Sequence, residues 1–433
     1  MKEELVKGAR RALPKMAVHA LEEVYRKGRV RLVSAKYGNP AKNLKVIAVT
    51  GTNGKTTTVN YINEILKEAG LKTAMFSTAL IEVAGKTTLN DLNATVASTE
   101  RMQQFFRDAK KAEVDYVVLE ITSHALSQHK LDGVPIEAAI MTNLTQDHLD
   151  YHKTMEAYAA AKAKLFKDEP KFIVLNRDDE WFGYFNQFYA GAQKITYGTH
   201  EEAEARIDYV KLYKKGSEAT IAIDHQTKLH LATALPGRFN VYNMTAAAAT
   251  AYLLGIKLTD IVEGVANLEG IPGRFERVAE GIGYDVIVDY AHTPDALTQL
   301  LEAGRAVTKN RVILVFGATG DRDKGKRPIM GEIAAKYADR IILTDEESYN
   351  EDPEAIREQV RQGIEKANGG GKLTEIADRR EAIEKALSIA KKNDTIFITG
   401  MGHEQYRIVN GKRLPWNDGE IVRDILDKTR EKV

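Results

Sequence analysis

Val46–Leu66 reads VIAVTGTNGKTTTVNYINEIL. Its first residues form an apolar, mostly β-branched run that stops at a glycine turn, and Val59, Ile62, Ile65 and Leu66 then recur at helical spacing. A buried strand, a Gly-rich turn and a helix in that order make a phosphate cradle. The backbone N–H groups of Gly51, Thr52, Asn53, Gly54 and Lys55 can converge on an anion, and the helix N-terminus adds its positive dipole. Lys55 can neutralise terminal phosphates, and Thr56, followed by Thr57, can offer a hydroxyl to Mg²⁺. The match to GxxxxGK[ST] is imperfect, because Val49 stands where the first glycine belongs. A merely glycine-rich loop is the plain alternative, and the strand-to-helix context argues against it.

Outward from this stretch, strand and helix patterns alternate, as in a parallel sheet with crossover helices. YVVLEIT, AAIMTNL and FIVLNRDD follow as buried strands, and AAAATAYLLG as a small-residue helix. After LEGIPGRFERV a second series begins with YDVIVDYAHTP, RVILVFGATGDRDKG, RIILTDE and TIFITGMG. Each ends in polar or glycine residues, as strands do when their carboxyl ends face a crevice. Between the two series, residues 211–237 read as antiparallel strands forming a small flap. The expected organisation is a short basic helical arm over 1–44, a central α/β unit over 45–270 and a second α/β unit over 271–433.

Composition narrows the function. A chain of 433 residues exceeds one core, and without cysteine it has no disulfide, zinc thiolate or thiol nucleophile. A net charge of +1 gives no general pull toward nucleic acid. Residues 1–44 differ, with eleven Lys/Arg against four Glu, a net of +7. This arm suits either a docked, solvated helix limited by Pro14 or a basic interfacial helix near anionic lipid or pyrophosphate.

Several polar residues sit where apolar strands end. Glu120 closes YVVLE beside the cradle, placed to bind Mg²⁺ or to act as a paired, capping carboxylate. His148 and His152 stand four apart, but Leu149 replaces the glutamate a zinc protease needs. Gly317 and Gly320 in FGATGDRDKGKRP can meet phosphate with Lys324 nearby, although the pattern is not GxGxxG. Asp289 and His292 lie at a crevice edge, where acid–base work and ribose binding are both open. Lys162 in YAAAKAKLF reads on composition as a solvated helix lysine.

VTGTNGKTTT, LEITSHALSQHKLDG, TNLTQDHLDYHKTMEAYAAAKAKLF, LPGRFNVYNMTAAAA, GIPGRFERV, VDYAHTPDAL, FGATGDRDKGKRP, NEDPEAI and GMGHEQY occur in the order seen in the Mur ligases. The chain most resembles their UDP-N-acetylmuramoyl-tripeptide synthetase branch, from about Val46 to Asp418. The resemblance implies an α/β fold with a central P-loop ATPase unit and a C-terminal Rossmann-like unit that binds the amino acid. It also implies a cytoplasmic, monomeric ligase that uses ATP and two Mg²⁺ ions to join an amino acid to a muramoyl-peptide carboxylate. On this resemblance Lys55 and Thr56 serve the phosphates and one Mg²⁺, which Glu120 also binds. His148 ligates the second ion, with Lys162 as a carbamate bridging the two. Asn240 and Asn243 read adenine, Asp289 meets ribose, His292 lies nearby, and Arg274 and Lys324 reach the phosphates from the second unit. Contacts from both units imply closure around ATP and an open form without it.

Two departures concern the other substrates. Family members carry an N-terminal domain that grips uridine diphosphate, whereas 50 residues precede Gly51 here, so that domain is expected to be lacking. LNATVAST stands where a TTP motif is usual, leaving Thr95 and Ser98 as acceptor contacts beside Ser123, Gln128 and Lys130. At the amino-acid end the family's DNPR is replaced by Glu346, Glu347, Ser348 and Tyr349. Gly402 and Glu404 remain from the GKGHE turn, with Met401 in place of its lysine. The arginine clamp for a distal carboxylate is thus gone, which favours lysine or ornithine, then a small neutral amino acid. Arg379 or Arg380 taking over the clamp is the alternative. Other readings are a folylpolyglutamate- or cyanophycin-type ligase and a non-catalytic P-loop binding module; a cell-wall amidating subunit is disfavoured, because such relatives carry a cysteine zinc ribbon and this chain has no cysteine.

Overall fold

A computed structural model describes residues 15–90, 97–224, 227–279, 281–409 and 411–430. Helix α1 (Lys15–Lys36) leads into strand β1 (Val46–Thr50), the glycine turn and helix α2 (Lys55–Glu68). Strands β2 (Thr73–Phe76), β3 (Leu80–Val83) and β4 (Lys86–Leu89), helix α3 (Thr99–Lys111) and strands β5 (Tyr116–Glu120), β6 (Ile136–Met141), β7 (Phe172–Asn176) and β8 (Gln193–Gly198) follow. The first sheet is completed by β9 (Ala205–Tyr213), β10 (Gly216–Ile223) and β11 (Thr227–Thr233).

Among the described residues these strands form one eleven-stranded sheet in the order β11-β10-β9-β8-β7-β6-β1-β5-β2-β3-β4. The strands from β2 through β9 in that order pair in parallel, and the outer pairs are antiparallel. The expected flap is therefore no separate element. β8 and β9 pair in parallel through Tyr197 and Gly198, so β9, β10 and β11 continue the main sheet. A short parallel join of this kind leaves no periodicity for the sequence to display.

β1 is buried on both faces because its side chains alternate between two cores. Ile47 and Val49 pack with Ile62 and Leu66 of α2, and Val46 and Ala48 pack with Phe105 and Phe106 of α3. Helix α4 (Arg238–Leu253) is alanine-rich and buried beside α2.

A second sheet begins after Gly270, with β12 (Glu276–Ala279), β13 (Asp285–Asp289), β14 (Val312–Phe316), β15 (Arg340–Leu343), β16 (Leu373–Glu375) and β17 (Thr395–Thr399). Its order is β12-β13-β17-β14-β15-β16, parallel except for β12 against β13. Helices α5 (Pro294–Val307), α6 (Lys326–Tyr337), α7 (Arg379–Ile389) and α8 (Asp418–Arg430) flank it. The carboxyl ends of β1, β5, β13 and β14 lead to residues lining one cavity of about 1470 Å³ between the sheets.

Candidate active site

The glycine turn is held open from below. Gly51 has φ +149°, and a side chain there would meet the Thr142 hydroxyl at 1.8 Å; Gly54 has φ +84° and faces the Asn243 amide oxygen at 2.3 Å from where a Cβ would sit. Both are positions that only glycine fills without displacing a neighbour. Asn143 fixes the turn by accepting the Asn53 N–H at 2.9 Å, and Thr52 accepts the Thr145 N–H at 3.0 Å. Lys55 donates to the Thr52 carbonyl at 2.8 Å and lies 3.9 Å from Glu120. The Thr56 hydroxyl donates to Glu120 at 2.8 Å, so a hydroxyl, a carboxylate and an ammonium meet at the start of α2. Thr57 is buried at the edge of the same cavity.

Lys162 is not a solvated helix lysine: it is 1% exposed, donates to the Gly51 carbonyl at 2.6 Å and lies 4.5 Å from the Tyr158 ring centre. Burial, and then the Lys55 charge, hold its pKa well below the ordinary lysine range. His148 caps a short helix in a left-handed conformation, φ 56°, with Nε2 3.3 Å from Asp147. Burial lowers His148 to about 3 despite that carboxylate, so the imidazole is neutral. His152 bonds the Ser123 hydroxyl at 2.9 Å and faces Tyr158 rather than His148's partner.

The second unit reaches across the cavity at several points. Arg274 donates to the Thr56 hydroxyl at 3.1 Å, with its guanidinium 4.4 Å from the Tyr290 ring centre. Asn53 donates to Asp295 at 2.6 Å, Gln146 donates to Asp323 at 3.3 Å, and Lys326 meets Asp147 at 3.4 Å. The last pair is buried, its side chains 3% and 6% exposed. Burial by itself would raise Asp147, but Lys326, His148 and His292 hold it well below the usual carboxylate range. These contacts draw the two units together around the cavity.

Asn240 and Asn243 share the buried face of α4's first turns and are bonded to each other at 3.2 Å beside Gly54. Asp289 lines the cavity, yet its carboxylate already accepts the N–H groups of Phe275 at 2.7 Å and Ala291 at 2.8 Å. His292 bonds the Tyr290 carbonyl at 2.7 Å, and burial lowers it to about 4. Lys324 is not brought in. It is exposed and pairs with Glu351 at 3.1 Å, while Lys326, two positions on at the start of α6, points inward.

Of the residues expected to contact the acceptor, Gln128 and Lys130 line the cavity, and Lys130 is tied to the Ala97 carbonyl. Ser98 accepts the Arg101 N–H as the cap of α3. Thr95 lies outside the described residues.

At the far wall, Glu346, Glu347 and Glu404 are buried together, with Gly402 turning the chain at φ +54°. Tyr349 donates to Glu347 and Tyr290 to Glu404, both at 2.9 Å. Glu346 Oε2 has no hydrogen-bond partner. Burial raises all three carboxyls above their ordinary range. Arg379 does not serve this wall as a clamp, because it forms two bonds to Asp418 at 2.8 and 2.6 Å; Arg380 pairs with Asp424 at the surface. The sequence reading missed Asp147, Lys326 and Arg322, the last lying 5.0 Å from the Tyr349 ring centre.

The residues of the cradle fit a divalent cation, since Mg²⁺ takes one or two protein oxygens and completes its shell with phosphate and water. Thr56 and Glu120 supply that pair. Among the described residues no three His, Asp or Glu side chains gather into an all-protein metal cage.

Fold and site together define a P-loop enzyme whose two α/β units line one cavity. The Mur ligase middle domain matches residues 49–251, and the Mur ligase glutamate ligase domain matches residues 273–402. The UDP-N-acetylmuramoyl-L-alanyl-D-glutamate–2,6-diaminopimelate ligase of Clostridium botulinum is 38% identical over 403 residues, covering 93% of this chain and 82% of that one. A solved structure of a ligase of that name is 34% identical, with TM-score 0.63, 95% of this chain and 83% of that chain covered. Mycobacterium tuberculosis folylpolyglutamate synthase, at 18% identity and TM-score 0.69 over 86% of this chain and 92% of its own, shares the fold. The chain belongs to the Mur ligase family. It is an ATP-dependent, amide-forming ligase of peptidoglycan synthesis, and ligases of this family use ATP with Mg²⁺.

Proposed function

We propose that this ligase joins an amino acid to the carboxylate of a muramoyl-peptide-type acceptor, working as a cytoplasmic monomer. The observation that carries the reading is the meeting of Arg274 with Thr56, Glu120 and Lys55 across a cavity large enough for a nucleotide and two further substrates. The acceptor carboxylate attacks the γ-phosphorus of ATP and ADP leaves; the amine then attacks the acyl phosphate, inorganic phosphate leaves, and the ammonium proton is lost to solvent. Lys55 and Arg274 hold negative charge in line for the first step, a task of positioning and electrostatics. Bound Mg²⁺, one ion held by Thr56 and Glu120 and a second beside His148, would neutralise phosphate charge. The depressed Lys162 amine is the neutral nucleophile that carbamylation requires, and a carbamate there turns a cation into an oxygen donor.

The amino acid's own charge follows from the far wall. Three buried carboxylates, one with an unpartnered oxygen, face the cavity with Arg322 as the nearby exposed cation. A distal ammonium satisfies Glu346, Glu347 and Glu404, and Arg322, which rests on Tyr349, meets the α-carboxylate. The relatives' diaminopimelate carries a second carboxylate that this wall would repel, so lysine or ornithine is the inferred substrate. Phosphate release from a panel of carboxylate acceptors crossed with amino acids tests the ligase assignment. Turnover that needs neither partner refutes it.

A further inference from the structure

The outward face of α1 takes no part in this chemistry. The helix packs on α3 through Val30, which is 2% exposed, and is tied down by Arg29 to Glu100 at 3.1 Å and Glu23 to His129 at 3.3 Å. At 100° per residue, the positions opposite Val30 are Leu21, Tyr25, Gly28 and Leu32, with Val24 alongside. Leu21, Val24, Tyr25 and Leu32 are 57%, 68%, 65% and 75% exposed, the most extended run of exposed large apolar side chains among the described residues. A docked helix that needed only to be solvated would carry polar residues there.

Cations border this strip on both sides, Arg31 along one edge and Arg29 and Lys36 along the other, all exposed. The acidic residues of the helix turn elsewhere: Glu22 pairs with Arg26, and Glu23 faces His129 and Lys164. An apolar strip edged by cations matches the boundary between anionic headgroups and acyl chains, and no described helix is long and apolar enough to cross a membrane. We propose that α1 docks the enzyme on an anionic lipid surface, with Leu21, Tyr25 and Leu32 entering the headgroup layer and Arg31 and Lys36 meeting lipid phosphates. α3, on which α1 packs, is capped by Ser98 next to the Ala97 carbonyl that holds Lys130. The acceptor-side wall of the cavity would then lie next to the membrane plane.

The test is co-sedimentation of the full chain with vesicles of phosphatidylglycerol and phosphatidylcholine, against phosphatidylcholine alone, at low and at 0.5 M salt. Binding that requires phosphatidylglycerol and weakens with salt is expected. The double variants Leu21→Asp/Leu32→Asp and Arg31→Glu/Lys36→Glu should each weaken it at least about tenfold while keeping the wild-type circular dichroism spectrum and solution ATP turnover. A Tyr25→Trp variant should shift its emission to the blue with the anionic vesicles alone. Absence of binding at low salt, equal binding to both vesicles, or binding untouched by Leu21→Asp/Leu32→Asp overturns the proposal. So does a dimer in sedimentation velocity that this variant dissolves, which would assign the strip to a second copy of the chain.

Discussion

Replacing Lys326 by methionine removes the cation of the buried pair that joins the two units. Lys326 and Asp147 are 3.4 Å apart with 3% and 6% of their side chains exposed, so Asp147 would be left buried without its principal cation. Breaking such a pair from one side costs about 3–5 kcal/mol. The lower end applies here, because His148 Nε2 stands 3.3 Å from the same carboxylate and can take up a proton. About 3 kcal/mol is roughly two orders of magnitude in kcat/KM for ATP, since closure is the state that loses it. Lys324→Met supplies the control: its partner is Glu351 in an exposed pair, worth at most about 1 kcal/mol. The double variant Lys326→Met/Asp147→Asn removes both charges and should regain much of the lost thermal stability. In Lys326→Met alone, His148 protonates more readily, so its melting temperature should approach wild type as pH falls from 8 to 5. Steady-state kinetics and thermal melting of the variants decide the matter. Wild-type kcat/KM in Lys326→Met, or greater damage from Lys324→Met, would refute the argument.

Bicarbonate labelled with ¹³C should give a carbamate resonance that Lys162→Ala abolishes; an unmodified Lys162 in the Mg²⁺-loaded enzyme counts against the carbamate. In a mixture of L-lysine, L-ornithine, L-alanine and meso-diaminopimelate resolved by mass spectrometry, lysine or ornithine should be joined first. The KM for that amino acid should fall as pH rises, because the raised carboxyls of Glu347 and Glu404 ionise; preference for diaminopimelate would show that charge reasoning at this wall fails. His148, His152 and His292 are held by burial near 3, 4 and 4, below their ordinary 6.5. Their stabilisation is complete above pH 6.5 and lost as pH falls toward those values, so these three groups should lower the melting temperature below pH 6.5, less steeply in His292→Asn.

The sequence disclosed the cradle because strand, glycine turn and helix each leave a periodic or compositional mark over consecutive residues. Glu120 was legible for a related reason, an ionisable residue closing an apolar run. Lys162 was not readable from its own surroundings: the alanines around it fit an exposed helix as well as a buried one, and only the family resemblance singled it out. Lys326 was missed for a geometric reason. DKGKRP offers two lysines on a loop entering α6, and which one faces inward depends on the turn at Gly325, which no hydrophobic pattern records. Asp147 and Arg322 sit in loops whose polar composition predicts exposure, and the opposing unit buries the first. Tertiary approach of segments some 180 residues apart created that site.

The central claim is that ATP turnover is coupled to amide formation. Phosphate release measured with Mg²⁺ and ATP should require an amino acid and a muramoyl-peptide-type carboxylate together, yield one amide per phosphate by mass spectrometry, and vanish in folded Lys55→Ala and Glu120→Ala. Phosphate release indifferent to either substrate, or persisting in those two variants, would contradict the account.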